Sequence, residues 1–274
     1  MRRLLVLLIS FAAFAGPAFA CNLDPYSRPP GVAAYVETAR PCLMNPAGGI
    51  NFDAALEARV LALINDERRL AGLAPVQLRT ELMGAARFHS LDMAVNGFFG
   101  HHGLDGRSPY DRIAALDRTA LADFTAENVA TVSRAGGRIS SDFAARRLHR
   151  NLMDSPSHRA NILHPKATHA AIGVARRPDG VWLTQLFMGL AGTLEQEAPL
   201  RIASPRGLRA PDGLTGWRFV RYEIVSPGGE PWPPSLRPGP GLDARLAAYA
   251  TQPGNDPRFF YWMRFHGPAV TVAP

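Results

Sequence analysis

Three short segments hold the residue types that could do chemistry. They are Ser155-Pro156-Ser157-His158-Arg159-Ala160-Asn161-Ile162-Leu163, Phe98-Phe99-Gly100-His101-His102-Gly103 and Glu127-Asn128-Val129-Ala130. Two separated imidazoles, His101 and His158, and one carboxylate, Glu127, make a candidate zinc set, because neutral histidine and carboxylate are both zinc ligands. If zinc sits on the two histidines it could activate water, with Glu127 as general base. Catalytic zinc generally keeps three protein ligands and an open position, so a Glu127 that completes the shell is no longer free as base. The chain has no His-Glu-x-x-His helix and no Gly-x-Ser-x-Gly elbow. The bland readings stand beside these. His101 can be read as a surface loop residue, though its place after Phe98-Phe99 argues for a cavity rim, Glu127 as a carboxylate that ties backbone amides together, and His158 as a helix-start residue. Asn128 and Asn161 read as residues that tie down local structure, and His89 as a core histidine with a satisfied nitrogen.

The elements that must position these residues follow from periodicity. Asp53 reads as the N-cap of a helix with Leu56, Val60, Leu63, Ile64 and Leu70 along one face, ended by Gly72. A second helix runs from Thr80 to about Asn96 and closes at Gly97. A short helix is expected over Tyr110 to Leu116, and extended chain over Thr125 to Val132. Ser141 reads as the cap of a helix carrying Ala144, Leu148 and Leu152. Ser155 at N-cap with Pro156 at the first helical position is a strong helix start, which makes His158 its third residue. A helix start disfavours imidazolium and so favours the neutral ring that binds metal. Ala170 to Ala175 and Val181 to Met188 form a hairpin around Pro178-Asp179-Gly180. Helices and an antiparallel sheet in this order predict an α+β layered sandwich.

The ends differ in texture. Residues 1–20 read as a signal peptide: Arg2 and Arg3, an apolar run from Leu4 to Phe14, then Ala18-Phe19-Ala20. Residues 21–50, with Pro25, Pro29, Pro30, Pro41 and Pro46, read as an irregular lead-in. The main domain spans 51–190. Residues 191–274 read as a small Pro/Gly-rich extension with strands at Trp217 to Val225 and Arg258 to Phe265, and the proline-rich stretch 226–241 as a spacer or docking strip. Cys21 and Cys42 invite a disulfide in an oxidising compartment. Lipidation of Cys21, as a minor alternative, would anchor the chain and leave Cys42 unpaired, and two buried or free thiols are the remaining reading. The chain is expected to be secreted, periplasmic or extracellular, and not an integral membrane protein. Formal charge is +7, from 30 basic and 23 acidic residues. No basic stripe with interleaved aromatics is visible in the sequence, which argues against nucleic acid as a partner.

Residues 53 to 189 resemble the CAP superfamily of cysteine-rich secretory, antigen 5 and pathogenesis-related proteins, and more closely its bacterial secreted branch of SCP domains. The resemblance is carried by Leu63-Ile64-Asn65-Asp66-Glu67-Arg68, Phe98-Phe99-Gly100-His101, Asp105-Gly106, Glu127-Asn128, the Ser155 to Leu163 segment, Ile172-Gly173-Val174 and Thr184-Gln185-Leu186-Phe187. It implies an α-β-α sandwich with a central cavity holding two histidines and two glutamates. His101, His158 and Glu127 match three of those four positions. The second glutamate would lie on the helix before Ser155, but that helix reads Arg146-Arg147-Leu148-His149-Arg150-Asn151-Leu152 and has none. The resulting expectation is a secreted binding or envelope-interaction module. Its His/Glu cavity takes a weakly held zinc or other divalent ion and a small ligand such as a lipid or peptide, with no organic cofactor. The alternative is a metal-assisted peptidase using His101, His158 and Glu127.

Overall fold

The structure is a computed structural model that describes residues 21–25, 31–134, 137, 139–214, 216–226, 228–231, 243–256 and 258–272. The expected signal peptide and most of the proline-rich strip lie outside the described residues. Among the described residues six α-helices and ten strands follow in chain order: α1 (Val32–Met44), β1 (Asn51–Phe52), α2 (Ala54–Leu70), β2 (Gln77–Leu78), α3 (Thr80–Asn96), α4 (Pro109–Leu116), β3 (Ala120–Ser133), α5 (Ser141–Asp154), α6 (Pro156–Ile162), β4 (His169–Arg177), β5 (Gly180–Thr193), β6 (Arg201–Ile202), β7 (Asp212–Gly213), β8 (Arg218–Val225), β9 (Ala244–Pro253) and β10 (Phe260–Val272). The main strand order is β1-β4-β5-β3-β10-β9-β8, with neighbours antiparallel. This is a mixed α+β fold.

Two helical layers cover the first four strands of that order. On one face, Val60 and Ile64 of α2, Leu148 and Leu152 of α5 and Ile162 of α6 pack on Ile172, Val174, Leu183 and Phe187. On the other face, Leu82, Ala85 and Ala86 of α3 and Ile113 of α4 pack on Ala171, Leu186 and Met188. The alternation along β4 and β5 sends successive side chains into opposite layers. The second layer lies close because Gly173 has no side chain. A Cβ there would stand 2.2 Å from the Ala86 carbonyl carbon. Helix α3 ends at Gly97, whose φ of 67° is the left-handed conformation that lets the chain turn away.

Several expectations need correction. Residues 21–50 are not wholly irregular: α1 occupies Val32–Met44 with Pro41 inside it. Proline is tolerated because the buried face of Val32, Tyr35, Ala39 and Cys42 and the bridge of Cys42 to Cys21 outweigh its lost helical hydrogen bond. Cys42 is bridged to Cys21, which leaves Cys21 no thiol to acylate. The bridge closes a short loop and stabilises by about 3 kcal/mol in the chain-entropy view. Leu70 is exposed, and the inner face of α2 ends instead at buried Arg68. That guanidinium donates to the carbonyls of Ala74, Ile162, His164 and Ala167, so a charged side chain replaces an apolar one by satisfying every carbonyl around it. The cap of α5 is Ser140, while Ser141 donates to Asp53. Residues 191–274 hold three strands the sequence did not suggest: the two-residue β6 and β7, and the longer β9 between β8 and β10. Through β10 the tail strands continue the main sheet. Among the described residues no helix is long and apolar enough to cross a membrane.

Candidate functional site

Glu127 lies on β3, in register with Leu186 of β5. Its side chain points to the α3–α4 side and is 2% exposed. A carboxylate so deeply buried requires partners. Oε2 accepts from Nη2 of Arg112 at 2.6 Å. Oε1 lies 2.9 Å from Nδ1 of His101. His89 stands behind, with Nε2 4.0 Å from the same oxygen. Arg112 reaches Glu127 because Ser108 and Asp111 form a capping box that starts α4 there, and because its Nη1 is held by the Arg107 carbonyl.

His101 and His158 form the outer part of the cluster. The His101 side chain is 45% exposed. Its Nδ1 faces the carboxylate and donates to it, which leaves the Nε2 lone pair directed away from Glu127. His158 is half-buried on α6, and its ring centroid is 6.5 Å from that of His101. Its pKa lies below the ordinary histidine value, first through burial and then through the neighbouring His101. His89 is driven further, to about 4, by burial and then by the Arg112 charge. Its Nε2 meets the Gly100 carbonyl at 2.8 Å, while Nδ1 has no partner. His89 is thus a core histidine with one satisfied nitrogen.

A network of amides fixes α6 against β3. Asn128 is fully buried and donates to the His158 carbonyl and to Oε1 of Gln185. Asn161 donates to the Glu127 carbonyl and to Oδ1 of Asn128. These bonds set the spacing between the His158 helix and the Glu127 strand. Ser155 occupies the N-cap position of α6, but its side chain makes no cap bond. Its hydroxyl lies 3.4 Å from that of Ser157.

The structure therefore gathers His101, His158 and Glu127 beside the middle of β3. Beside them stand Arg112, which shares no motif with them, and His89, the expected core histidine. Arg112 carried no spacing signal, since it sits beside Ile113, Ala114 and Ala115. The general requirement that a buried carboxylate be paired would have called for a basic partner on α4. As a three-ligand metal centre the set does not fit. Both Glu127 oxygens are engaged, and among the described residues no group of three His, Cys, Asp or Glu side chains is arranged to hold an ion. The two imidazoles alone come closer to fitting. Zinc–nitrogen bonds of about 2.0–2.1 Å on a tetrahedral ion put ring centroids about 5 Å apart. The observed 6.5 Å requires a modest closure by the exposed His101.

Comparison with known proteins follows the same half of the chain. The cysteine-rich secretory protein (CAP) family pattern matches residues 61–187. The uncharacterized protein YkwD of Bacillus subtilis (strain 168) is 32% identical over 136 residues, 49% of this chain and 48% of the relative. The chain thus spans about half the length of the curated relative it matches. Among solved structures, an outer surface protein from Borrelia burgdorferi is 16% identical with a TM-score of 0.43, covering 51% of this chain and 98% of that one. An extracellular SCP-domain protein from Bacillus anthracis str. Ames is 23% identical with a TM-score of 0.40, covering 49% and 40%. The family pattern spans the loop, strand and helix that carry His101, Glu127 and His158, and residues 61–187 form a domain of the CAP family.

Proposed function

We propose that this chain is an exported binding module of the cell envelope, and that the imidazoles of His101 and His158 are its ligand-contacting groups. The observation that carries this reading is the commitment of Glu127. With Arg112 on one oxygen and His101 on the other, the carboxylate serves to orient His101. A general base must be free to take a proton, so the hydrolase alternative draws no support from this arrangement. His158, with its depressed pKa, offers a neutral ring at pH 7. The bridged Cys21 and Cys42 suit an oxidising compartment. A divalent cation would be held weakly by the two rings, with Glu127 fixing the tautomer of one of them. The remaining coordination positions would suit an oxyanion of a lipid headgroup or a peptide carboxylate.

Zinc titration by calorimetry on the folded protein tests this. His101→Ala and His158→Ala should each weaken zinc binding by at least tenfold. Glu127→Gln should weaken it about tenfold or more through the orientation of His101. Binding equal to the parent in both histidine variants would refute the reading. Turnover of a peptide or ester library that vanishes in Glu127→Gln would favour the hydrolase instead.

A further inference from the structure

The β9–β10 hairpin ends in four consecutive aromatic residues, none of which the CAP domain uses. Phe259, Phe260, Tyr261 and Trp262 are 65%, 54%, 57% and 56% exposed. The hairpin is paired out to this end, with Phe260 opposite Pro253, Tyr261 opposite Gln252 and Trp262 opposite Thr251. The Gly254 amide donates to the Phe259 carbonyl and closes the turn. The aromatics are therefore held at the paired end of the hairpin. Pairing across β10, β9 and β8 aligns Trp262 with Thr251 and Arg218, and Arg264 with Tyr249 and Arg221, on one face. The Arg221 guanidinium lies over the Tyr249 and Trp262 rings at 5.2 and 5.7 Å. Arg258 stands in the turn, 82% exposed. Arg218, Arg221 and Arg258 are exposed beside the aromatics, and Arg264 donates to the Gly229 carbonyl; the neighbouring carboxylates are three, Asp256, Glu223 and Glu230. Among the described residues Arg218 has no ion-pair partner.

We propose that this hairpin end is a wedge that docks the protein on an anionic lipid surface. Successive strand residues face opposite ways, so a solid partner lying on one face covers about half of them. Here all four consecutive rings are more than half exposed, on both faces of the hairpin. Only a soft medium envelops both faces of such an end. The headgroup–acyl boundary of a bilayer is one, and Trp and Tyr rings lodge there. The surplus of arginine matches acidic headgroups, each basic residue near such a surface contributing attraction that salt screens. A second copy meeting tip to tip would set arginine against arginine. This surface is separate from the histidine rim, and the proposal does not rest on zinc binding.

The test is flotation of the full chain with phosphatidylcholine vesicles, with and without phosphatidylglycerol. The protein should float with the anionic vesicles and not with the neutral ones, and should be released at about 1 M salt, where the Debye length falls to about 3 Å. Phe260→Ser with Trp262→Ser, and separately Arg218→Glu with Arg258→Glu, should each lower partitioning about tenfold or more. Their melting temperatures should match the parent, since these side chains are exposed. Four outcomes overturn the proposal: no flotation of the parent, equal flotation of the variants, indifference to phosphatidylglycerol, or loss in the variants of self-association or oligonucleotide binding where vesicles do not bind.

Discussion

One sheet runs through this molecule, and its two ends are treated differently. At the β4-β5-β3 end both faces are covered by helices, and every charge inside has a partner: Glu127 with Arg112, Glu57 with Arg87, Arg79 with Asp117. At the β10-β9-β8 end one face packs on Leu121, Leu194 and Leu214, while the other is covered by α4 only around His266 and Arg245 and carries Trp262, Arg221 and Arg218 in the open. Polar groups under two layers must be fixed in place, since an unpaired one is costly. Groups on a bare face keep their side chains available for contact. The covered end therefore holds oriented imidazoles, and the bare end holds a surface.

This contrast can be broken most severely at Gly173. Gly173→Ala forces a methyl against the α3 backbone, where neither element can yield. It should cost about 4–5 kcal/mol in denaturant unfolding, or prevent folding. Arg112→Met should cost about 3–4 kcal/mol, because it leaves the Glu127 carboxylate buried with its strongest partner gone.

Acid sharpens the comparison. His89 in the folded protein has a pKa of about 4 against an ordinary 6.5. Above about pH 6.5 the ring is neutral in both states, and nothing is lost. Between 6.5 and 4 the unfolded chain takes up the proton first, so stability falls, by about 3 kcal/mol from this residue when complete. His149, His158, His169 and His266 are also depressed, each chiefly by burial, and push the same way. Melting curves from pH 7 to pH 4 should show the decline, and His89→Gln should flatten it. A flat parent profile would contradict the role given to burial. The smallest effect belongs to the bare end: Trp262→Ser should change unfolding by no more than about 0.5 kcal/mol.

Much of this arrangement can be read from the residues. Helices α2 and α3 announce themselves through Asp53, Gly97 and apolar spacing, and the Pro178-Asp179 turn marks the β4–β5 hairpin. Helix α1 is hidden because Pro41 argues against it, and only tertiary burial and the bridge to Cys21 outweigh that cost. Strand β9 is hidden because Ala244 to Ala250 is rich in alanine, which favours helix in isolation. It is a strand because it lies between β8 and β10, where small side chains at Ala247, Ala248 and Ala250 pack without crowding. The histidines and Glu127 stand out by motif spacing, but Arg112 shares no motif with them. Its role depends on a contact across 15 residues that only the folded sheet creates.

The central claim is that Glu127 orients His101, leaving one nitrogen of that ring for a ligand. Nitrogen-15 NMR of the histidine side chains reads this directly. The His101 ring should keep a proton on Nδ1, and its Nε2 resonance should move when zinc is added and in Glu127→Gln. A proton resting on Nε2, or an Nε2 signal indifferent to both zinc and the substitution, would contradict it.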